Sequence, residues 1–151
     1  MISIRPAWPE EASFLTELCL RSKAVWGYDE AFMAACRGEL TLTPEMITTG
    51  EVAVAEIEGQ VVGMVQLDLG RGVGELSKLF VEPTCLKSGT GRALFDWAKD
   101  RARQLGATML VIDADPGAAD FYRHLGALDA GIVPSGSIPD RYIPRLELQL
   151  R

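Results

Sequence analysis

A mixed α/β domain is the fold class this sequence predicts, and three observations predict it. Glu51 to Ile57 (EVAVAEI) and Gln60 to Leu69 (QVVGMVQLDL) are β-rich runs joined by Glu58-Gly59, a two-residue hairpin signal. Helical patterns with caps alternate with these runs along the rest of the chain. The stretch Gly74 to Leu94, GELSKLFVEPTCLKSGTGRAL, reads as a strand, a Pro-containing turn, a glycine-rich loop and the opening of a helix.

Taken in order, Ile2 to Arg5 alternates as a short first strand. Pro9, followed by Glu10 and Glu11, starts a helix whose inner face carries Phe14, Leu15, Leu18 and Cys19. Asp29 to Arg37 is a second helix, stopped by Gly38, and Thr43-Pro44-Glu45 caps a third that ends at Gly50. The hairpin follows, then the strand Glu75 to Val81, the loop and a long helix to about Leu105. Ala93, Leu94, Trp97, Ala98 and Ala102 give that helix its buried stripe, and Gly106 ends it. Thr108 to Asp113 is an apolar strand expected to be covered on both faces. Asp115-Pro116 opens a helix with Ala119, Tyr122 and Leu125 on one face and Gly126 as its stop. Gly131 to Val133 and Tyr142 to Leu150 close the chain as strands.

At 151 residues, 48% of them apolar and 24% charged, one domain with a real core is expected. No apolar run is long enough to span a membrane, and the N-terminus MISIRPAWPEE carries no signal-peptide pattern, so a cytoplasmic protein is expected. Cys19, Cys36 and Cys85 have no metal-ligand spacing and read as reduced thiols. A net charge of −6 argues against nucleic acid as the main partner. No cluster suggests a metal.

The glycine loop places unpaired amides at the positive end of a helix dipole, which suits a phosphate or pyrophosphate. It lacks the GK[ST] ending of a nucleotide-triphosphate loop, and Leu94 stands where a dinucleotide fingerprint needs its third glycine. Trp26 and Tyr28, in a loop beside Gly27, could line a substrate pocket; covering the core is the alternative. Ser135, Ser137, Arg141 and Arg145 form a polar C-terminal group that could read an acceptor, with a solvated loop as the alternative. His124, the single histidine, has no orienting partner that would make a nucleophilic dyad with Cys85.

Two runs carry a specific resemblance. Val81-Glu82-Pro83-Thr84-Cys85-Leu86-Lys87-Ser88-Gly89-Thr90-Gly91 resembles the V-x-P-x-x-(Gln/Arg)-x-x-G-x-(Gly/Ala) motif of the GNAT superfamily of acyl-CoA-dependent N-acyltransferases. Asp115, Pro116, Ala118, Phe121, Tyr122 and Gly126 resemble its later Asn-Pro-x-Ala-x-x-(Phe/Leu)-Tyr-x-x-x-Gly motif. SKAVWGYDEAFMAAC and PSGSIP…PRLEL are similar to a bacterial subgroup of the superfamily. Leu86 departs from the usual Gln/Arg, and Asp115 from the usual Asn, although Asp can still cap a helix.

The resemblance implies a central, mostly antiparallel sheet of about seven strands flanked by helices and splayed between the fourth and fifth strands. It implies acetyl-CoA as acyl donor, held by the Leu79, Phe80 and Val81 backbone, by Leu86 to Arg92 (Leu86, Lys87, Ser88, Gly89, Thr90, Gly91, Arg92) and by Asp115. Glu75 would be the general base, Tyr122 the donor to the leaving thiolate, and Trp26 and Tyr28 the acceptor's neighbours. A carboxylate with a free pKa of about 4.3 needs burial or a water relay for that task. The implied partner is a small-molecule or peptide amine, with a homodimer left open as the assembly. A non-catalytic acyl-CoA-binding regulatory module and a nucleotide-binding domain are the competing functions.

Overall fold

A computed structural model describes residues 1–150. The elements run β1 (Ile2–Pro6), α1 (Ala12–Ala24), α2 (Glu30–Leu40), α3 (Pro44–Thr49), β2 (Glu51–Ile57), β3 (Gln60–Gly70) and β4 (Val73–Val81). They continue with α4 (Thr90–Gln104), β5 (Met109–Asp113), α5 (Ala119–His124), β6 (Leu128–Pro134) and β7 (Tyr142–Gln149). Short 3-10 turns at Pro9–Glu11 and Pro83–Cys85 lead into α1 and toward α4.

All seven strands join one sheet in the order β1-β2-β3-β4-β5-β7-β6. Every neighbouring pair is antiparallel except β4 and β5. The β2–β3 hairpin turns through Glu58 and Gly59, both at positive φ (52° and 79°), the backbone that a two-residue turn of matching twist requires. The mixed sheet that the sequence predicts is therefore present, with the splay between the fourth and fifth strands.

One face of the sheet packs on α4 and α5 through Leu76, Val81, Leu94, Phe95, Leu110, Ile112, Tyr122 and Leu146. Complete burial of Leu94 and Phe95 contributes about 2–3 kcal/mol each. The other face packs on α1 and α2 through Leu15, Leu18, Cys19, Cys36, Val54 and Met64. Among the described residues no helix is long and apolar enough to cross a membrane.

Four local expectations change. Gly38 lies inside α2, which runs on to Leu40; Asp29 caps that helix by accepting from the Phe32 amide at 2.8 Å. Phe14 is exposed, because its neighbours Leu15, Leu18 and Cys19 already fill the inward face of α1. On α4, Ala93 and Trp97 are only half-buried, while Phe95 is fully buried. β5 is fully covered on one face only: Leu110 and Ile112 are buried against α4 and α5, while Met109, Val111 and Asp113 on the other face are half-buried.

Candidate active site

The splay arises in the pairing of β4. Its partner β5 matches it only at Val73, Gly74 and Glu75, opposite Met109, Leu110 and Val111. On the β3 side the register slips between Leu76–Leu67 and Lys78–Gln66, so Ser77 is an extra residue in β4. Such a bulge reverses which side chains face which side. Before it Leu76 faces α4; after it Leu79 and Val81 do, and Lys78 and Phe80 turn toward α1 and α2.

The bulge also determines which amides face the gap. Glu82 donates to the Val62 carbonyl at 2.8 Å across the β3 edge, so the alternation of a strand turns the Leu79 and Val81 amides to the β5 side. Ser22 Oγ accepts from the Val81 amide at 3.4 Å. Leu79 presents its amide to the opened gap.

Below the gap stands Glu75, on the partly covered face and exposed. Loss of hydration beside the sheet raises its pKa above the ordinary carboxylate value; the negative Asp113 and Asp68 raise it further, and Arg145 opposes them. Arg145 is held by a two-pronged pair to Asp113, at 2.7 and 3.0 Å. Asp68 is held by the Ser77 hydroxyl of the bulge. Glu75 has no such partner among the described residues and stands as a carboxylate able to accept a proton.

Above the gap lies the glycine loop. Lys87 and Gly89 both take positive φ, 66° and 90°. Gly89 precedes α4 as its N-cap, in a conformation that an L side chain adopts only with strain. The first helical bond from this end is Ala93 to the Gly89 carbonyl, which leaves the Thr90, Gly91 and Arg92 amides without an i−4 partner. Thr90 is buried; its hydroxyl meets that of Ser88 at 2.7 Å, and its amide donates to Ser88 Oγ at 3.4 Å. Leu86, Lys87 and Arg92 project their side chains into solvent.

Helix α5 closes the other side. The Phe121 ring lies where a Cβ on Gly91 would come within 3.1 Å of it, so the first turn of α4 and α5 meet at that glycine. Tyr122 packs edge-on to Phe121, 5.1 Å between centroids, and near Phe95 at 5.8 Å. Burial pushes the Tyr122 hydroxyl above its ordinary pKa. No described residue hydrogen-bonds it.

The mouth of the splay is tied by Asp115. Its carboxylate accepts from Tyr28 Oη at 2.8 Å, Lys23 Nζ at 3.0 Å and the Gly117 amide at 2.9 Å. Burial would raise its pKa, but these three donors hold it below the ordinary aspartate value. Asp115 therefore closes the Asp115–Ala118 turn rather than opening a helix; α5 starts at Ala119. Tyr28 spends its hydroxyl here, and Trp26 lays its ring on Gly117, where a Cβ would come within 2.9 Å. The two aromatics do flank the splay, but as parts of this seam.

Four participants went unmarked in the sequence: Lys23, Ser22, and the buried pair Lys78 and Gln66, whose Nζ–Oε1 distance is 2.7 Å. Burial holds the Lys78 ammonium below its ordinary pKa. Two surface grooves of about 520 and 510 Å³ lie around Gly50 and Glu51; neither contains a residue of the glycine loop, and of the acids beside Glu75 only Asp68 lines one of them. Among the described residues no three His, Cys, Asp or Glu side chains gather as metal ligands would.

Comparison with known proteins agrees with this geometry. An "IAA acetyltransferase" of Azospirillum brasilense is 34% identical over 83 residues, 52% of this chain. The match spans about half of that relative's length, 54%. A GCN5-related N-acetyltransferase structure from Rhodopseudomonas palustris superposes with a TM-score of 0.81 at 22% identity, covering 98% of this chain and 95% of that one. The PaiA N-acetyltransferase of Thermoplasma acidophilum, solved in complex with coenzyme A, superposes with a TM-score of 0.78 at 16% identity over 99% of both chains. Residues 12–127 match the model of the acetyltransferase (GNAT) family, and this chain belongs to that family.

Proposed function

We propose that this chain is an N-acetyltransferase that passes the acetyl group of acetyl-CoA directly to a primary amine. The observation that carries the reading is the pairing of an opened β4 edge at Leu79 with the unpaired Gly91 and Arg92 amides at the start of α4, beside the glycine loop. Acetyl-CoA supplies a thioester-activated acyl group and a diphosphate. The residues fit it: the loop amides suit the diphosphate, and the free β4 edge suits an extended chain bearing amides of its own.

The chain's own groups account for the rest of the chemistry. Glu75, its pKa raised, takes a proton from the amine directly or through water. The Leu79 amide faces the gap where negative charge would develop on the carbonyl oxygen. As the N–C bond forms and the C–S bond breaks, Tyr122 offers its hydroxyl to the departing sulfur. A thiol has a free pKa of about 8.5 and tyrosine about 10, so full proton transfer from Tyr122 is uphill by at least about 2 kcal/mol. Burial makes it steeper. Tyr122 thus stabilises the thiolate by a hydrogen bond, and the final proton comes from solvent or from the amine nitrogen of the tetrahedral adduct, which loses it as the amide forms.

Isothermal titration with acetyl-CoA, ATP and NAD, followed by initial rates with two varied substrates, tests the proposal. Binding of acetyl-CoA alone, with intersecting rate lines for acetyl-CoA and an amine, is expected. Binding of ATP or NAD in its place would favour a nucleotide-binding domain. Parallel rate lines would mean a covalent acetyl-enzyme and contradict direct transfer.

A further inference from the structure

The mouth of the splay carries a cationic group that the proposed transfer does not use. Lys23 and Arg141 share one carboxylate, Asp115, at 3.0 and 3.8 Å. Arg141 makes one short hydrogen bond, Nη2 to Tyr28 Oη at 2.8 Å. Among the described residues its Nε and Nη1 meet no acceptor, which leaves one edge of the guanidinium open. The flat of that group lies over the Phe32 ring, 4.9 Å from its centroid, and over Tyr28 at 5.3 Å. Those two rings are themselves stacked at 3.9 Å.

The loop before Arg141 fixes it in place. The Ser135 amide donates to the Arg141 carbonyl at 2.7 Å, and Ser135 Oγ accepts from the Ser137 and Ile138 amides at 3.2 and 3.1 Å. Ser137 Oγ then donates to Glu39 on α2 at 2.7 Å. A planar donor with one free edge, backed by aromatic rings and held by an ordered loop, suits a carboxylate.

Register sets the level of this group. Glu75 lies opposite Val111, the last matched pair of β4 and β5. Leu79 is four residues beyond Glu75, and Asp115 is four residues beyond Val111. With Ser77 bulged out, Leu79 lies three strand steps, about 10 Å, beyond Glu75 on β4, and Ser22 on the Val81 amide beside Lys23 on Asp115 puts the Asp115–Tyr28–Arg141 group across the splay at that far end. Carboxylates dominate the deep end, at Glu75, Asp68 and Asp113, while two cations share one acid at the mouth. An acceptor with only an amine would meet surplus positive charge there.

We propose that Arg141 receives a carboxylate of the acceptor, so that the amine substrate is amino-acid-like, with the carboxylate close to the reacting amine. The inference rests on the N-acetyltransferase reading for its chemistry but makes its own binding claim. L-amino acids and their matching carboxamides are the probes, with acetyl transfer followed by product mass and binding by titration into CoA-loaded protein. The acids are expected to exceed their carboxamides in kcat/KM by about tenfold or more. Arg141→Gln should lower that ratio by about tenfold, with Arg141→Lys keeping part of it. Carboxamides accepted as well as acids, an equal loss in both series on Arg141→Gln, or no amino acid bound at all, would overturn the inference. Amino-acid binding that Arg141→Gln removes, with no acetyl product formed, would support Arg141 and instead contradict the transferase reading.

Discussion

Tyr28 donates its hydroxyl hydrogen to the Asp115 carboxylate at 2.8 Å, and so joins the α1–α2 connection to the turn after β5 across the mouth of the splay. Two cations, Lys23 and Arg141, converge on the same pair. The seam links three stretches that are far apart in sequence.

Replacing Asp115 with Asn keeps an acceptor for the Gly117 amide but leaves Lys23 and Arg141 without their carboxylate. A loss of about 1–2 kcal/mol is expected in urea unfolding at neutral pH. Asp115 has a pKa below its ordinary value in the fold, so its stabilisation is present above the unfolded value and fades as pH falls through the folded one. The difference between wild type and Asp115→Asn should thus shrink only below about pH 4. A difference that vanishes between pH 5 and 7 would show that the carboxylate is not held as described.

Glu75→Gln should lower kcat/KM for an accepted amine by about 10²–10³-fold while leaving acetyl-CoA affinity near wild type. The base must be deprotonated to act, and its pKa is raised, so wild-type activity should fall on acidification at a pH above the ordinary glutamate range. A pH–rate profile of the variant lacking that acid limb is the check; an unchanged limb would assign it to another group.

A hydrogen-bonding role for Tyr122 predicts a modest effect of its own. Tyr122→Phe should slow turnover by about 10–100-fold. With the hydroxyl pushed above its ordinary pKa, wild type should show no alkaline limb from this residue. If an alkaline limb near pH 8–9 disappears in the variant, Tyr122 is a true proton donor.

In the proposed transferase, donor binding would turn on the backbone at Gly89. A Cβ there is strained at φ 90°, so Gly89→Ala should cost about 1 kcal/mol of stability and weaken acetyl-CoA binding several-fold. Calorimetry on both proteins measures the two effects together. Unchanged affinity would mean that the loop does not carry the diphosphate.

The order of elements along the chain was legible because hairpin, cap and glycine-loop signals each act locally, while the single splayed sheet followed only from the family resemblance. Asp29 and Thr43 cap their helices as their types suggest, and Glu58-Gly59 turns as its dipeptide demands. The bulge was harder to read. Leu76, Leu79 and Val81 face α4, and the interval of three between the first two is its trace in the sequence. Strict alternation would instead sort Lys78 and Phe80 with Leu76, which is why the buried Lys78–Gln66 pair gave no warning. Gly38 misled because helix propensity is a weak signal: α2 packs through Cys36 and Leu40 and carries the glycine on its outer side. The seam at Asp115 was out of reach, since Lys23, Tyr28 and Arg141 meet it only through the tertiary fold.

The central claim is that the splay beside Glu75 moves an acetyl group onto an amine. A single-turnover reaction of excess protein with acetyl-CoA and an amine panel, read by CoA-thiol release and product mass, tests it most directly. One acetylated amine per thiol released by wild type, and a slowed reaction with Glu75→Gln, is the predicted result. Acetyl-CoA bound by both proteins with no amine acetylated by either would contradict it and leave a non-catalytic acyl-CoA-binding module.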